Sequence, residues 1–530
     1  MKRFLFALVI AFSVSAQTIE VLPTTPAGRQ LKAQLDLGAD INVRNVYAPN
    51  GYQLLWSKPS AASQAAGKTA FQPTPQAFAV IGQFRSSDAK ALDPARYHFV
   101  ANDPITFDIA MTSALVRYAS DLRVGRVRPG KQFQLDTQAK QAYLPSLVIR
   151  TSEAADAAAV LAELEPQNDD YRNLIAALAS WRRIAADSAN DEPLPVVTKL
   201  VAGNEYAAVP QLATRLRKFG DLTVDFDGTT YDGALVDAVK HFQSRHGLDA
   251  DGIISSRTFA ALNVPAAQRV KQIEMAIERM RWFDAQDEGP SIVVNIPEFR
   301  LTARNANGET LEMRVVVGRA SRNETPVFEG DLRHVVFRPS WSVPPSIQKG
   351  EIAPKLEKDP AYLSRNGYEI TDANGNVVGS SLDAQTIERI RTNALRVRQK
   401  PGTSNALGLV KFYFPNDNNV YLHSTPQQSL FARSRRDFSH GCIRVEDPAA
   451  LAAFVLGWDA EKVQAAMNGK VNDNYAKLAE PVHVRILYST AVARANGDVH
   501  FFDDIYGHDV ELARALAPQT KAAPMLVAAK

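Results

Sequence analysis

The spacing of apolar positions changes several times along this 530-residue chain. Between Tyr171 and Arg183, the residues Leu174, Leu178 and Trp181 recur at helical spacing and predict one amphipathic face. From about Pro210 to Val264 the pattern is that of a small helical module. Leu212 and Leu216 mark a first helix, and Leu235, Val239 and Phe242 a second that stops at Gly247. After the Asp251-Gly252 turn, Ser255 or Ser256 caps a third helix ending near Leu262. Val270, Ile273, Ile277 and Met280 predict a connecting helix that ends at Trp282. Beyond Pro290 the period drops to two: Ile292, Val294 and Ile296, then Phe299 and Leu301, then Met313 to Val317, His334 to Phe337 and Val410 to Phe414 predict strands. A polar, proline- and charge-rich stretch from Trp341 to about Pro401 interrupts them and is a candidate lid over a site. Earlier in the chain, Tyr47-Ala48-Pro49 to Trp56 and the Ala-, Pro- and Gln-rich run after Ser60 read as loops.

Composition narrows the classes. With 45% hydrophobic and 22% charged residues, a chain of this length is expected to fold as about three globular domains. Sixty basic against 57 acidic side chains leave a net charge of +3, which speaks against nucleic acid as a partner. At the amino terminus Lys2 and Arg3 precede an apolar run from Phe4 to Val14, and Val14-Ser15-Ala16 offers small residues to a signal peptidase. The run is well short of the roughly twenty residues that span a bilayer. Cleavage after Ala16 and export to the periplasm is the expectation, with a retained membrane anchor as the alternative.

Cys442 is the one cysteine. No intramolecular disulfide can form, so the thiol is either an inert core group or a reactive one. Its setting, Ser439-His440-Gly441-Cys442-Ile443-Arg444-Val445, favours reactivity, because a second histidine stands nineteen positions upstream in Tyr421-Leu422-His423-Ser424-Thr425-Pro426. A thiol must lose its proton to attack a carbonyl, and on spacing alone either His423 or His440 can take it. Gly441 permits a tight turn whose backbone N–H groups can face a developing oxyanion. Asp447-Pro448 and the alanine-rich run to Gly457 predict a capped helix just downstream, with its positive end toward the thiol. Tyr421 and Tyr413 are candidates either for a substrate groove or for core packing, and Trp341 for the hinge of the insertion. The remaining histidines lack metal-ligand spacing, and no phosphate-binding glycine loop or dinucleotide fingerprint is present, so neither a metal nor a nucleotide cofactor is expected.

Ser439-His440-Gly441-Cys442 with His423 upstream resembles the signature of the L,D-transpeptidases. Asp237 to Leu248, followed by Asp251-Gly252 and Thr258, resembles a peptidoglycan-binding module, with Ser255 where that family usually has Gly. Arg444, Trp341-Ser342-Val343-Pro344-Pro345-Ser346 and the long insertion resemble the large subfamily of these enzymes. The resemblance implies an α+β multidomain chain: a signal peptide (1–16), a helical N-terminal scaffold (17–200), a three-helix peptidoglycan-binding-like module (205–264), a connecting helix (265–284), a mostly-β catalytic domain (290–515) with an inserted capping subdomain (341–401), and a tail (516–530). It implies 3→3 cross-linking between diaminopimelate residues from a tetrapeptide donor, without a cofactor, and acylation by carbapenems. By the same resemblance Cys442 is the nucleophile, His423 the base, and Ser424 the residue whose carbonyl orients that base. His440 and Gly441 line the oxyanion site, with Ser439, Tyr421 and Trp341 beside the substrate. Arg444 either holds a substrate carboxylate or braces the loop. Many relatives carry Asp where this chain has Ser424. Two other outcomes use the same residues: a peptidase trimming stem peptides, or a wall-binding scaffold without turnover.

Overall fold

The computed structural model describes residues 20–59, 71–130, 133–135, 144–283, 289–379 and 382–517. The segment read as an export signal, the run from Ser60 to Ala70 and most of the tail fall outside them. The chain divides into two compact units, the first built from residues up to Arg126 together with Thr137–Glu165, the second from Val127–Asp136 and Pro166–Ala517.

The first unit is more helical than the apolar spacing predicts. Its longest helix, Pro104–Val124, buries fifteen of its 21 residues, so apolar side chains surround it and no single stripe marks it in the sequence. The helices Pro26–Asp36, Ile41–Tyr47, Pro75–Arg85, Leu144–Glu153 and Ala157–Ala162 pack around it. The loop from Gly51 to Ser57 is fixed by a buried carboxylate. Asp108 accepts from the N–H of Leu55 at 2.6 Å and of Trp56 at 3.1 Å, and from the Ser57 hydroxyl at 2.8 Å.

In the second unit, helix Asp169–Asp187 buries Tyr171, Leu174, Leu178 and Trp181, the face its spacing predicts. This helix sits with the second unit rather than with the preceding block. Arg182 bonds Glu274, and the buried Arg281 bonds the Tyr171 hydroxyl, both on or just after the connecting helix Ala266–Met280. The three predicted module helices form as Val209–Lys218, Gly233–Arg245 and Ser256–Leu262 around Leu212, Leu216, Leu235, Val239, Phe242, Phe259 and Leu262. Gly247 is left-handed (φ +63°), two residues past the end of the second helix. Ser255 stands at the N-cap of the third but makes no capping hydrogen bond.

The predicted strands close into a barrel together with three that no periodicity announced, Leu422–His423, Ile443–Val445 and Asn474–Leu487. Its hydrogen-bonded order runs Val410–Tyr413, Leu422–His423, Ile443–Val445, Thr310–Gly318, Arg300–Arg304, Ser291–Asn295, Asn474–Leu487 and Val327–Phe337, and Val410–Tyr413 pairs back onto Val327–Phe337. Alternate residues, Ile292, Val294, Leu301, Val315, Val317, Val335, Phe337, Phe412, Leu422 and Ile443 among them, fill the core. The stretch from Trp341 to Gln399 is a subdomain with a core of its own, Val343, Ile352, Leu356, Leu363, Ile370, Ile390 and Val397, under a three-stranded sheet. Its first strand, Trp341–Ser342, pairs antiparallel with its last, Arg396–Gln399. The helix downstream of Cys442 forms as Pro448–Leu456, capped by Asp447, which accepts from the Ala450 N–H at 2.9 Å, and closed by left-handed Gly457.

Candidate active site

Two short strands bring the predicted residues together. Leu422–His423 and Ile443–Val445 are parallel neighbours, Leu422 opposite Ile443 and His423 opposite Arg444, and the Ile443 N–H donates to the Tyr421 carbonyl at 3.1 Å. Strand alternation sends Leu422 and Ile443 into the core, which leaves Tyr421, His423, Cys442 and Arg444 on the opposite face. The next strand adds Lys411, paired with His423. The nineteen residues between base and thiol in sequence thus become one strand-to-strand step.

The thiol is half-buried. Burial pushes it up, while the N–H and hydroxyl of Tyr421, then the cations Lys411 and Arg444, pull the other way. Its sulfur also lies 3.8 Å from the Asn419 carbonyl. His423 is 5% exposed. Its Nδ1 stands 2.5 Å from the Ser424 carbonyl, an N–H to C=O pairing that leaves Nε2 to act as the base. Burial, with Arg444 and Lys411 adding to it, pushes the imidazole down to about 3 against the pull of that carbonyl. The resting pair is therefore a neutral thiol and a neutral imidazole. Among the described residues no hydrogen bond joins them.

The turn bearing the thiol is held from inside. The Ser439 hydroxyl donates to the Cys442 carbonyl at 2.5 Å and accepts from the Gly441 N–H at 3.1 Å. The Gly441 carbonyl accepts from the Thr325 hydroxyl at 2.8 Å, and the same oxygen of Thr325 takes the Gly318 N–H. The Tyr506 hydroxyl closes this network, accepting from the Thr325 N–H and donating to the Gly318 carbonyl. Gly441 has φ +113°, a backbone conformation that favours glycine. Its N–H is thus engaged by Ser439 in the resting site.

His440 turns outward. Its Nε2 lies 2.5 Å from Oε1 of Glu351 on the inserted subdomain, so the motif and the insertion touch through that pair. They touch again where the Trp341 side chain bonds the Tyr421 hydroxyl. Arg444 donates to Gln427 at 2.5 Å, while its Nε is buried with no partner among the described residues. Tyr413 is largely exposed on the strand bearing Lys411. The Asp447 carboxylate answers the positive end of the helix after the motif.

Lys411 and Thr325 were not singled out by the sequence. Lys411 sits over the Tyr421 ring at 4.0 Å and is depressed by burial against the pull of Cys442. Only its alternation with Val410 and Phe412 hinted that it faces away from the core. Thr325 lies in a loop with no periodic signal.

Three stretches of the chain match known domain families. The L,D-transpeptidase catalytic domain matches residues 289–484, a scaffold domain residues 42–178, and a domain described as "Putative peptidoglycan binding domain" residues 205–262. A protein of Haemophilus influenzae named "Putative L,D-transpeptidase" is 35% identical over 246 residues, which are 46% of this chain and 49% of that relative, so the match spans about half of each. The crystal structure of an L,D-transpeptidase from Xylanimonas cellulosilytica is similar over 56% of this chain and all of its own, at 15% identity and a TM-score of 0.16. Along the chain a scaffold domain, a peptidoglycan-binding-type domain and an L,D-transpeptidase catalytic domain are thus matched in that order.

Proposed function

We propose that this protein is exported, with its leader removed after Ala16, and forms 3→3 cross-links between diaminopimelate residues of peptidoglycan through a thioester on Cys442. The observation that supports this most is the shared face of Tyr421, His423, Cys442 and Arg444 on two adjacent parallel strands.

The reaction follows from those groups. A tetrapeptide stem binds with the carbonyl between diaminopimelate and D-Ala at the sulfur. The neutral His423 takes the thiol proton as sulfur adds to that carbon, so the ion pair forms only with the substrate in place. Backbone N–H groups of the Gly441 turn stabilise the oxyanion, an effect of about 3–4 kcal/mol per donor. In the resting site the Ser439 hydroxyl holds the Gly441 N–H, and its role as an oxyanion donor requires that hydroxyl to yield. The C–N bond breaks, D-Ala leaves with the proton from the imidazolium, and the thioester remains. An imidazolium whose pKa lies near 3 is a strong acid for that step. The side-chain amine of a second stem then attacks, gives its proton to His423, and breaks the C–S bond; the sulfur recovers the proton. Arg444, with a buried Nε that has no hydrogen-bond partner among the described residues, is suited to a donor carboxylate while its other end braces Gln427. The insertion, held by Glu351 and Trp341, covers the face and keeps water from replacing the acceptor.

The test is incubation with soluble tetrapeptide muropeptide. The expected products are free D-Ala and a 3→3 dimer in equal amounts, with a transient mass increase on Cys442; a carbapenem adduct is expected at the same sulfur. Shortened stems without dimer would make the protein a trimming peptidase, and no adduct on a folded chain would make it a scaffold.

A further inference from the structure

A cleft of about 300 Å³ opens between the helical module and the barrel, and none of its lining residues belongs to the Cys442 face. Its walls carry six arginines (Arg257, Arg300, Arg314, Arg433, Arg435 and Arg436) against three carboxylates (Asp249, Glu298 and Asp503). That excess of three equals the net charge of the entire chain. Arg300, Arg314 and Arg435 are each answered by a carboxylate, Glu312, Glu446 and Asp437 respectively. Arg433 and Arg436 have no carboxylate partner among the described residues. Arg433 is exposed and lies over the Phe438 ring. Arg436 is buried, and its guanidinium bonds only the carbonyls of Val315, Phe299, Arg433 and Ser434. Burial, then the charges of Arg314 and Arg300, push it down to about 10 against the pull of Glu446 and Asp249. From the opposite wall, Arg257 reaches Asp503 only at 3.6 Å and the Ser434 hydroxyl at 3.5 Å. The two histidines of the cleft stay neutral near pH 7: burial depresses both, His500 to about 4.

Guanidinium groups that outnumber the carboxylates lining a concave site match planar carboxylates better than any neutral ligand. We propose that this cleft binds a carboxylate-bearing stem peptide of the wall, separately from the two stems that react at Cys442; the choice of ligand rests on the cross-linking reading. From the module, residues of the segment 244–250 and Arg257 supply one wall, and the segment 432–436 faces them from the barrel side. That segment runs directly into the Asp437–Ser439 strand and the thiol turn, so the ligand grips the chain just upstream of the motif.

The experiment measures retention of the full chain carrying Cys442→Ala on purified sacculi by co-sedimentation at low salt. The sacculi are used untreated or with their carboxyls converted to neutral amides, a step that leaves any phosphate in place. Adding Arg257→Gln and Arg433→Gln, both at exposed positions, is expected to weaken retention on untreated sacculi at least fivefold. Amidation is expected to weaken the Cys442→Ala chain as much. A charge-matched control, Arg29→Gln with Arg85→Gln in the first unit, should bind like the Cys442→Ala chain. Equal retention by the cleft variant, or undiminished retention on amidated sacculi, overturns the proposal; the second arm needs no cleft substitution and so does not depend on the variant folding. Failure of the cross-linking reading is seen separately, as no dimer from the unmodified chain on soluble tetrapeptide.

Discussion

Replacing Gly408 with alanine tests whether the Ser424 carbonyl sets the base. Gly408 has φ +60°, and a Cβ there would stand 2.4 Å from Oγ of Ser424, 2.6 Å from its Cβ and 2.9 Å from the Thr425 nitrogen. Ordinary contact begins near 3.4 Å, so the Ser424 Cβ must retreat by roughly 0.8 Å. The left-handed conformation adds about 1–2 kcal/mol for a residue with a Cβ. Ser424 is anchored by its N–H on Val410 and by its carbonyl on His423, so its retreat carries the imidazole with it. A misplacement approaching 1 Å costs about 10²-fold in rate. The expected outcome for Gly408→Ala is a kcat lowered by about ten- to a hundredfold with a Tm lower by several degrees, read by dimer formation and thermal unfolding. Gly82→Ala, in a helix with open space around it, should leave the rate alone and hold or raise the Tm. Gly408→Ala with a lowered Tm and a parental kcat would refute the orienting role of Ser424.

Removing the imidazole in His423→Ala should cost about 10²–10⁴ in kcat, and a larger loss from His440→Ala would reverse the assignment of the base. Because His423 is held neutral down to about pH 3, the acidic limb of kcat/KM should lie well below the ordinary imidazole range. Between pH 6.5 and 3 the unfolded chain binds a proton at His423 that the folded chain does not, so stability should fall as pH falls through that window, as an unfolding series would show; a flat profile would contradict the depressed imidazole. Lys411→Met removes a cation that favours the thiolate, so alkylation of Cys442 by iodoacetamide should need a higher pH than in the parent; an unshifted profile would dismiss that role. Thr325→Val breaks the hydroxyl bonds to Gly441 and Gly318, expected to cost about 1–3 kcal/mol in denaturant unfolding together with a loss of rate. Deleting residues 341–401 should weaken donor capture, and unchanged donor KM would exclude a lid role.

Much of this was legible in the sequence because the residue types are scarce or the apolar runs short and β-branched. One cysteine, two nearby histidines and a glycine turn pointed to a site, and the β-branched apolar runs Ile292–Ile296 and Met313–Val317 placed barrel strands. The Asp447-Pro448 cap and Gly457 bounded a helix correctly. Helix Pro104–Val124 gave no stripe because it is buried on nearly every side. The pairing of His440 with Glu351, 89 positions apart, and the bracing of Gly441 by Thr325, 116 positions apart, depend on how distant segments meet, which neither periodicity nor composition encodes. Lys411 was hidden for a different reason, since an isolated lysine on a strand ordinarily reports only an outward face.

The inserted subdomain leaves the barrel and returns to it on neighbouring antiparallel strands, with Trp341 beside Gln399. Two chain ends so close can be joined by a short turn, and the subdomain's apolar centre is its own. Its length and content are thereby uncoupled from the register of the barrel, so this region can be lengthened, trimmed or exchanged between homologues as a cassette without a shift in the pairing of the strands that carry His423 and Cys442.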